Sequence, residues 1–355
     1  MSPGHPILAQ KEQGVNRPTV HDIAKEAGVS LATVDRVLNA RPGVRAKTIA
    51  KVQDAVSRLG YVRDTYAANL ARKRLFRFVF ILPEGPNQFA ETLKAAIDEA
   101  YSAQIADRTV LEILRVPFLD PHAIVRRLQQ LDVTTLDGVA LMVPETPQVR
   151  DAVARLKAAG VAVVALVSDL PNSRRDHFIG TNSVAAGRTA GLLMGRFAGR
   201  SGEVLVVSNS MRARDSLERR LGFDAVIAGE FSGLKVLPSV ESFDDPARMR
   251  AVVGEVLARR RDVVGVYSMG SGNTALLDAL RESGRIGDLV SIAHELTPTT
   301  EAALREGALA AVIAQNVGHL ARSALRVLRA LCDGLSIYEA QERVRIEIIL
   351  RENIG

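Results

Sequence analysis

From residue 76 onward the chain repeats one unit, a short continuous apolar run followed by a longer stretch with apolar positions at helical spacing. The runs fall at 76–82, 110–116, 138–143, 161–167, 203–207, 263–268, 289–293 and 311–314. Amphipathic segments separate them, for example 91–106, 149–159, 185–197, 247–260 and 275–283. A half-exposed strand would alternate apolar and polar residues, whereas an apolar run throughout marks a strand covered on both faces. Strands of that kind joined by helices form parallel sheets, so the predicted class is α/β with two doubly wound lobes. A ligand would sit in the crevice at the carboxyl ends of the strands.

The length of 355 residues suffices for two or three domains at about 100–200 residues each, and its 47% apolar and 24% charged residues exclude a mostly disordered chain. The longest apolar stretch, 161–167, is far too short to cross a bilayer. Residues 1–15 lack the basic and then apolar segments of a secretory leader. Cys332 is the only cysteine, which removes intrachain disulfides and thiolate zinc sites and suggests the cytoplasm.

Charge divides the chain. Residues 1–74 carry 13 Lys and Arg against 6 Asp and Glu, a net of +7, which leaves −1 for residues 75–355. A basic head on a neutral body points to a polyanion, either nucleic acid or an anionic membrane.

After a loose tail at 1–16, helical signals begin at Thr19, which can cap a helix with Asp22 three residues on. Val20, Ile23, Ala24 and Ala27 share one face before Gly28. Ser30 is placed to cap a second helix with Val34, Val37 and Leu38 inward. Pro42 and Gly43 break the chain, and a third helix at 46–59 buries Ile49, Val52, Val56 and Leu59. Two short helices across a tight turn, with a third packed on them, make a helix-turn-helix unit. Its second helix enters the major groove, so Leu31, Ala32, Thr33 and Arg36 would face DNA. Arg36 suits guanine or phosphate, Thr33 a phosphate oxygen, and Leu31 and Ala32 the thymine methyls. A small packing module for protein contacts is the alternative for such spacing.

The run Thr19-Val-His-Asp-Ile-Ala-Lys-Glu-Ala-Gly-Val-Ser, then Ala-Thr-Val-Asp-Arg-Val-Leu-Asn39, resembles the headpiece of the lactose/galactose-repressor (LacI/GalR) family of bacterial transcription regulators. The likeness continues through Thr48 and Leu59-Gly-Tyr61 to Ala67-Ala-Asn-Leu-Ala71. It implies DNA contacts from Thr19, His21, Leu31, Ala32, Thr33 and Arg36. It also implies a hinge helix at 67–71, with Leu70 wedged into the minor groove. Two departures stand out: Asp35 where the family usually has Ser, and Arg63 where Pro is usual before the hinge.

The body resembles the periplasmic sugar-binding-protein fold that this family carries after its headpiece. Its best local pieces are 180–187, Gly222-Phe223, His294-Glu-Leu-Thr297 and Val312-Ile-Ala-Gln315. The resemblance implies an effector cleft formed by Asn87, Phe89, Asp169, Asn182, Arg214, Glu218, Asn273, Glu295 and Gln315. Carboxylates and amides suit the vicinal hydroxyls of a sugar or polyol, and Phe89 can stack on a C–H face. Leu170 and Asn182 depart from the pattern, where sugar receptors often place Arg and Asp.

Enzyme chemistry finds weaker footing. Gly270-Ser-Gly-Asn-Thr-Ala275 fits G-x-G-x-x-A, but falls in the last third of the chain rather than in a first βαβ unit. His294-Glu295 lacks the second His that a metalloprotease helix needs. Neither a cofactor nor a metal is expected. The expectation is a homodimeric cytoplasmic repressor, without membrane association, that reads operator DNA and answers a sugar or polyol. The alternative is a cytosolic enzyme on the two-lobed fold with a basic regulatory head. The expected division is a headpiece at 17–62, a hinge at 63–75 and an effector and dimerisation domain at 76–355. No leucine heptads follow residue 333, so a dimer is expected rather than a tetramer.

Overall fold

The computed structural model describes residues 18–38, 42–61, 75–85, 87–103 and 108–355. The tail at 1–16 and the hinge calls at Arg63 and Leu70 lie outside the described residues. The chain divides into two compact units, Met1–Lys73 and Arg74–Gly355.

In the first unit three helices, α1 (Val20–Ala27), α2 (Leu31–Leu38) and α3 (Ala46–Leu59), enclose a small core. Ile23, Ala24, Ala27, Val34, Val52 and Ala55 are buried there, with Val37, Leu38, Val56 and Leu59 packed at its edge. Val20, expected on the inner face, is instead exposed in the first turn of α1. Thr19 and Asp22 form a reciprocal capping box that satisfies the first turn of α1. Ser30 Oγ accepts from the Thr33 amide at 3.2 Å and so starts α2.

The second unit contains the two predicted lobes. In the first lobe β1 (Phe76–Pro83), β2 (Thr109–Val116), β3 (Gly138–Leu141), β4 (Ala162–Leu166) and β5 (His177–Ile179) lie in the order β2-β1-β3-β4-β5, all parallel. The second lobe has β6 (Gly202–Ser208), β7 (Leu234–Val236), β8 (Val240–Glu241), β9 (Val263–Ser268), β10 (Val290–His294), β11 (Ala311–Gln315) and β12 (Ile346–Ile349). Their order is β12-β11-β10-β9-β6-β7, with β8 also beside β6 and only β12 antiparallel. Both lobes therefore wind outward in two directions from their first strand, β1 or β6. Where the winding reverses, the connections after neighbouring strands part to opposite faces and leave a crevice at the strand carboxyl ends.

The short strands β5, β7 and β8 were not among the expected runs, because two or three residues are too few to show a period. The helix Val317–Asp333 follows the last parallel strand of the second lobe yet packs on the first lobe. Its Leu320, Ala324, Leu325 and Leu328 share a core with Phe78, Phe80 and Val164.

Candidate functional site: an inter-lobe cleft and an exposed helix

A cavity of about 540 Å³ lies between the lobes, large enough for a small organic ligand. The first lobe contributes the turn after β1, with Asn87 and Phe89, together with Phe118, Met142, Val167 and Ser168. The second contributes Asn209, Asp215 and Arg219 after β6, the turn Met269–Asn273 after β9, and Glu295 after β10. Every one of these segments leaves the carboxyl end of a strand or opens the following helix, as the doubly wound topology requires.

The cavity floor is ionic. Arg219 sits on the buried stripe of the helix Arg214–Glu230, with Ser216, Gly222 and Phe223. Its guanidinium donates to the Met269 carbonyl at 2.5 Å and to Glu295 Oε1 at 3.3 Å, and lies 3.6 Å from Asp215. Gln315 Nε2 donates to the same Glu295 oxygen at 2.9 Å. Burial pushes the Glu295 carboxyl up to about 7, against the opposing pull of Arg219. His294 is held well below its usual range by burial and by Arg219, and it shares a 2.8 Å hydrogen bond with the buried Tyr267 hydroxyl. Asn273 accepts from Ser268 Oγ at 2.7 Å and donates to the His294 carbonyl at 3.1 Å, tying the ends of β9 and β10 together. Buried polar atoms nearly always find partners. Yet Ser168 Oγ, Arg219 Nε, Glu295 Oε2 and Gln315 Oε1 have none here.

Close helix packing sets the position of Arg219. A Cβ on Gly187 would meet the Arg219 carbonyl oxygen at 1.9 Å, and one on Gly222 would meet the Val184 carbonyl at 2.0 Å. Only glycine permits that approach of two backbones. The two glycines in the most recognisable stretches of the body therefore hold the floor of its cavity.

Of the expected effector residues, Asn87, Phe89, Asn273 and Glu295 line the cavity, and Gln315 stands behind Glu295. The other four do not line it. Asp169 forms an ion pair with Arg175. Asn182 is exposed and caps the helix Ser183–Ala198 through the Ala185 amide. Arg214 and Glu218 pair with each other at 2.7 Å one helical turn apart, and Arg214 also reaches 3.6 Å to Glu145 of the other lobe. Sequence reasoning missed Asp215 and, at the floor itself, Arg219. Its signal was a charge on the same helical stripe as Gly222 and Phe223, where a solvated arginine does not belong.

The three-helix unit offers a different surface. Leu31, Ala32 and Arg36 on α2 are exposed, as are Thr19 and His21 at the start of α1. Thr33 is half-buried, and its hydroxyl lies 2.9 Å from that of Ser30. A strongly apolar side chain left in water at the head of a helix that also exposes an arginine is an arrangement suited to a DNA groove.

Two doubly wound lobes around a ligand-sized cleft define a two-lobed binding-protein domain, here preceded by a three-helix unit. Residues 78–336 match the family described as periplasmic binding protein domain, and residues 19–64 match bacterial regulatory proteins, lacI family. The chain therefore belongs to the periplasmic-binding-protein family and carries a lacI-family headpiece. It is similar to catabolite control protein A of Priestia megaterium, 40% identical over 81 residues that cover 23% of this chain and 24% of the relative. The match thus spans about a quarter of that relative's length. In fold it is similar to a glucose-galactose binding protein from Geobacillus stearothermophilus, with a TM-score of 0.71 and 18% identity over 79% of this chain and 99% of that one. A solute-binding protein from Burkholderia graminis, solved with D-arabinose, gives a TM-score of 0.71 and 23% identity over 78% and 96%.

Proposed function

We propose that this chain is a homodimeric transcription repressor of the cytoplasm, whose grip on operator DNA is set by a sugar or polyol bound between the two lobes. The observation that carries the reading is one chain joining an exposed lacI-type second helix to a cleft with unpartnered buried polar atoms. In this reading Thr19, His21, Leu31, Ala32, Thr33, Arg36 and Leu70 meet DNA. Asn87, Phe89, Asp215, Arg219, Asn273 and Glu295 meet the effector, with Gln315 positioning Glu295. The headpiece spans 17–62, the hinge 63–75 and the effector and dimer domain 76–355.

Mechanistically, the effector acts through its differential affinity for two arrangements of the lobes. Closing the lobes on a ligand moves the segments that lead to the hinge, and two hinge copies then meet or separate. A hinge helix of one or two turns is unstable alone in water, because nucleation costs more than so few hydrogen bonds return. It would form when two copies meet on DNA and Leu70 wedges into an opened minor-groove step.

An enzyme reading gains no support from the Gly270–Ala275 turn. That turn forms cavity wall beside Asp215, whose charge would repel a pyrophosphate. Among the described residues no helix is long and apolar enough to cross a membrane. Gel shifts on the DNA upstream of the gene, with and without a sugar and polyol panel, test the proposal. A specific shift altered by one compound is expected. No specific shift on any upstream fragment would sink it.

A further inference from the structure

At the cavity floor Glu295 and Gln315 are joined by one hydrogen bond, and each keeps a buried acceptor with nothing to accept. Glu295 Oε1 receives Gln315 Nε2 and Arg219 Nη2, while Glu295 Oε2 and Gln315 Oε1 stay unpartnered. A primary amide carries a donor and an acceptor side by side, and so does a protonated carboxyl group, so the two can pair through two hydrogen bonds. As bare acceptors the two would repel. One proton between them would give each a partner and close an acid–amide ring.

The groups packed around Glu295 favour that proton. Among the described residues Arg219 is the one cation acting on it, and it is already flanked by Asp215 at 3.6 Å. From its own strand and β9, His294 and Tyr267 use each other as partners. From the helix Pro298–Arg305, the Thr300 hydroxyl donates to the Glu295 main-chain carbonyl and leaves the carboxyl untouched. Asn273 is engaged by Ser268 and His294. One cation thus faces two carboxyl groups, so full ionisation would leave a net negative charge in a buried place, which is costly.

We propose that Glu295 is a protonated acid donating to Gln315 Oε1, which makes the cleft floor a charge-neutral seat for an uncharged, hydroxyl-bearing ligand. This rests on the cleft being the effector site. Burial raising the Glu295 carboxyl to about 7 agrees with it. Phosphorylated or carboxylated ligands would enter against Asp215, and the lining Arg250 lies 4.0 Å from its own partner Asp278. Loss of the proton adds negative charge and opens the acid–amide ring, so ligand affinity is present below the Glu295 titration and falls above it.

The test uses the full chain and Glu295→Gln, titrated calorimetrically at about pH 6 and about pH 8.5, on either side of that titration. The probes are D-galactose, D-arabinose and sorbitol, against glucose 6-phosphate and gluconate. The expected binder is uncharged, its affinity for the natural chain falls about tenfold between the two pH values, and the variant shows no such fall. A charged probe binding more tightly than the uncharged ones overturns the proposal. A ligand-independent arm reads the infrared difference between the two proteins. A neutral carboxylic acid carbonyl band at about pH 6, lost in Glu295→Gln, is expected; its absence overturns the proposal even if no probe binds. The effector reading fails separately, when the acid band is present but no cleft ligand moves operator binding.

Discussion

Val167 and Glu295 occupy equivalent places in the two lobes. Each is the first residue after the strand two places from the central one, β4 from β1 and β10 from β6, and each has left-handed backbone, with φ of 65° and 69°. Each donates its amide to the neighbouring strand at 2.9 Å, Val167 to Ile179 and Glu295 to Ile313. A left-handed non-glycine residue costs about 1–3 kcal/mol and persists only where its surroundings enforce it. In both lobes this turn places cavity-lining residues, Ser168 after the first and the Glu295 side chain at the second. The cleft is thus built by a repeated device, one such turn from each lobe.

The second of these turns gives a pH prediction. The Glu295 pKa rises from 4.5 in an ordinary setting to about 7 in the fold. A raised folded pKa means stability fully present below the unfolded value and lost as pH climbs through the folded one. Glu295→Gln escapes that loss, so its stability advantage over the natural chain should grow between about pH 4.5 and pH 7.5. The ceiling is on the order of 3 kcal/mol. Urea midpoints at the two ends of that window measure it, and a constant difference would refute the titration.

Two arginines on one helix should behave oppositely. Arg214 is partly exposed in its pairs with Glu218 and Glu145, so Arg214→Ala should cost under about 1 kcal/mol. Arg219→Ala removes the partner of Asp215 and the donor to the Met269 carbonyl and Glu295 Oε1, and should cost about 3–5 kcal/mol, with loss of effector binding. Denaturant titration of both variants separates them.

Gly187→Ala should be among the most damaging small changes, since its new methyl would overlap a main-chain oxygen 1.9 Å away. Backbone cannot yield as a side-chain tip can. A loss of about 1–3 kcal/mol or more is expected, with weaker effector binding because Arg219 is displaced. Thermal melting and ligand titration would both report it.

On DNA, Arg36→Ala should cost about 1–3 kcal/mol and relax specificity at one operator position if the contact is bidentate to guanine. A phosphate contact would instead weaken all sequences alike and lower the salt slope by about one. Unchanged affinity in a folded variant would show that α2 is not the reading helix.

Leu70→Ala should weaken operator binding at least about tenfold, or about 1.4 kcal/mol, while leaving effector affinity intact in the DNA-free protein. Operator titrations paired with effector titrations decide it. A loss of effector affinity would mean that Leu70 acts through the cleft.

Much of this protein was legible in its sequence. Apolar runs covered on both faces dictate parallel sheets, because no other arrangement buries such strands. The order of caps and apolar positions from Thr19 to Leu59 dictates three short helices. Asn87, Asp169, Glu295 and Gln315 could be favoured for the cleft because each follows a strand, and of these Asn87 and Glu295 line it while Gln315 stands behind Glu295. Those are local or periodic properties. Only the tertiary structure decided that the helix Val317–Asp333 returns to the first lobe, since its apolar face would fit either sheet. Asp169 was drawn away by Arg175, and Asn182 was taken up as a helix cap. Arg219 became the floor of the cleft because Gly187 and Gly222 let two helices touch, bringing together residues that no spacing in the chain connects. Strand and helix are written in periods along the chain, whereas a binding site is made by side chains meeting across it, and those meetings exist only once the lobes have packed.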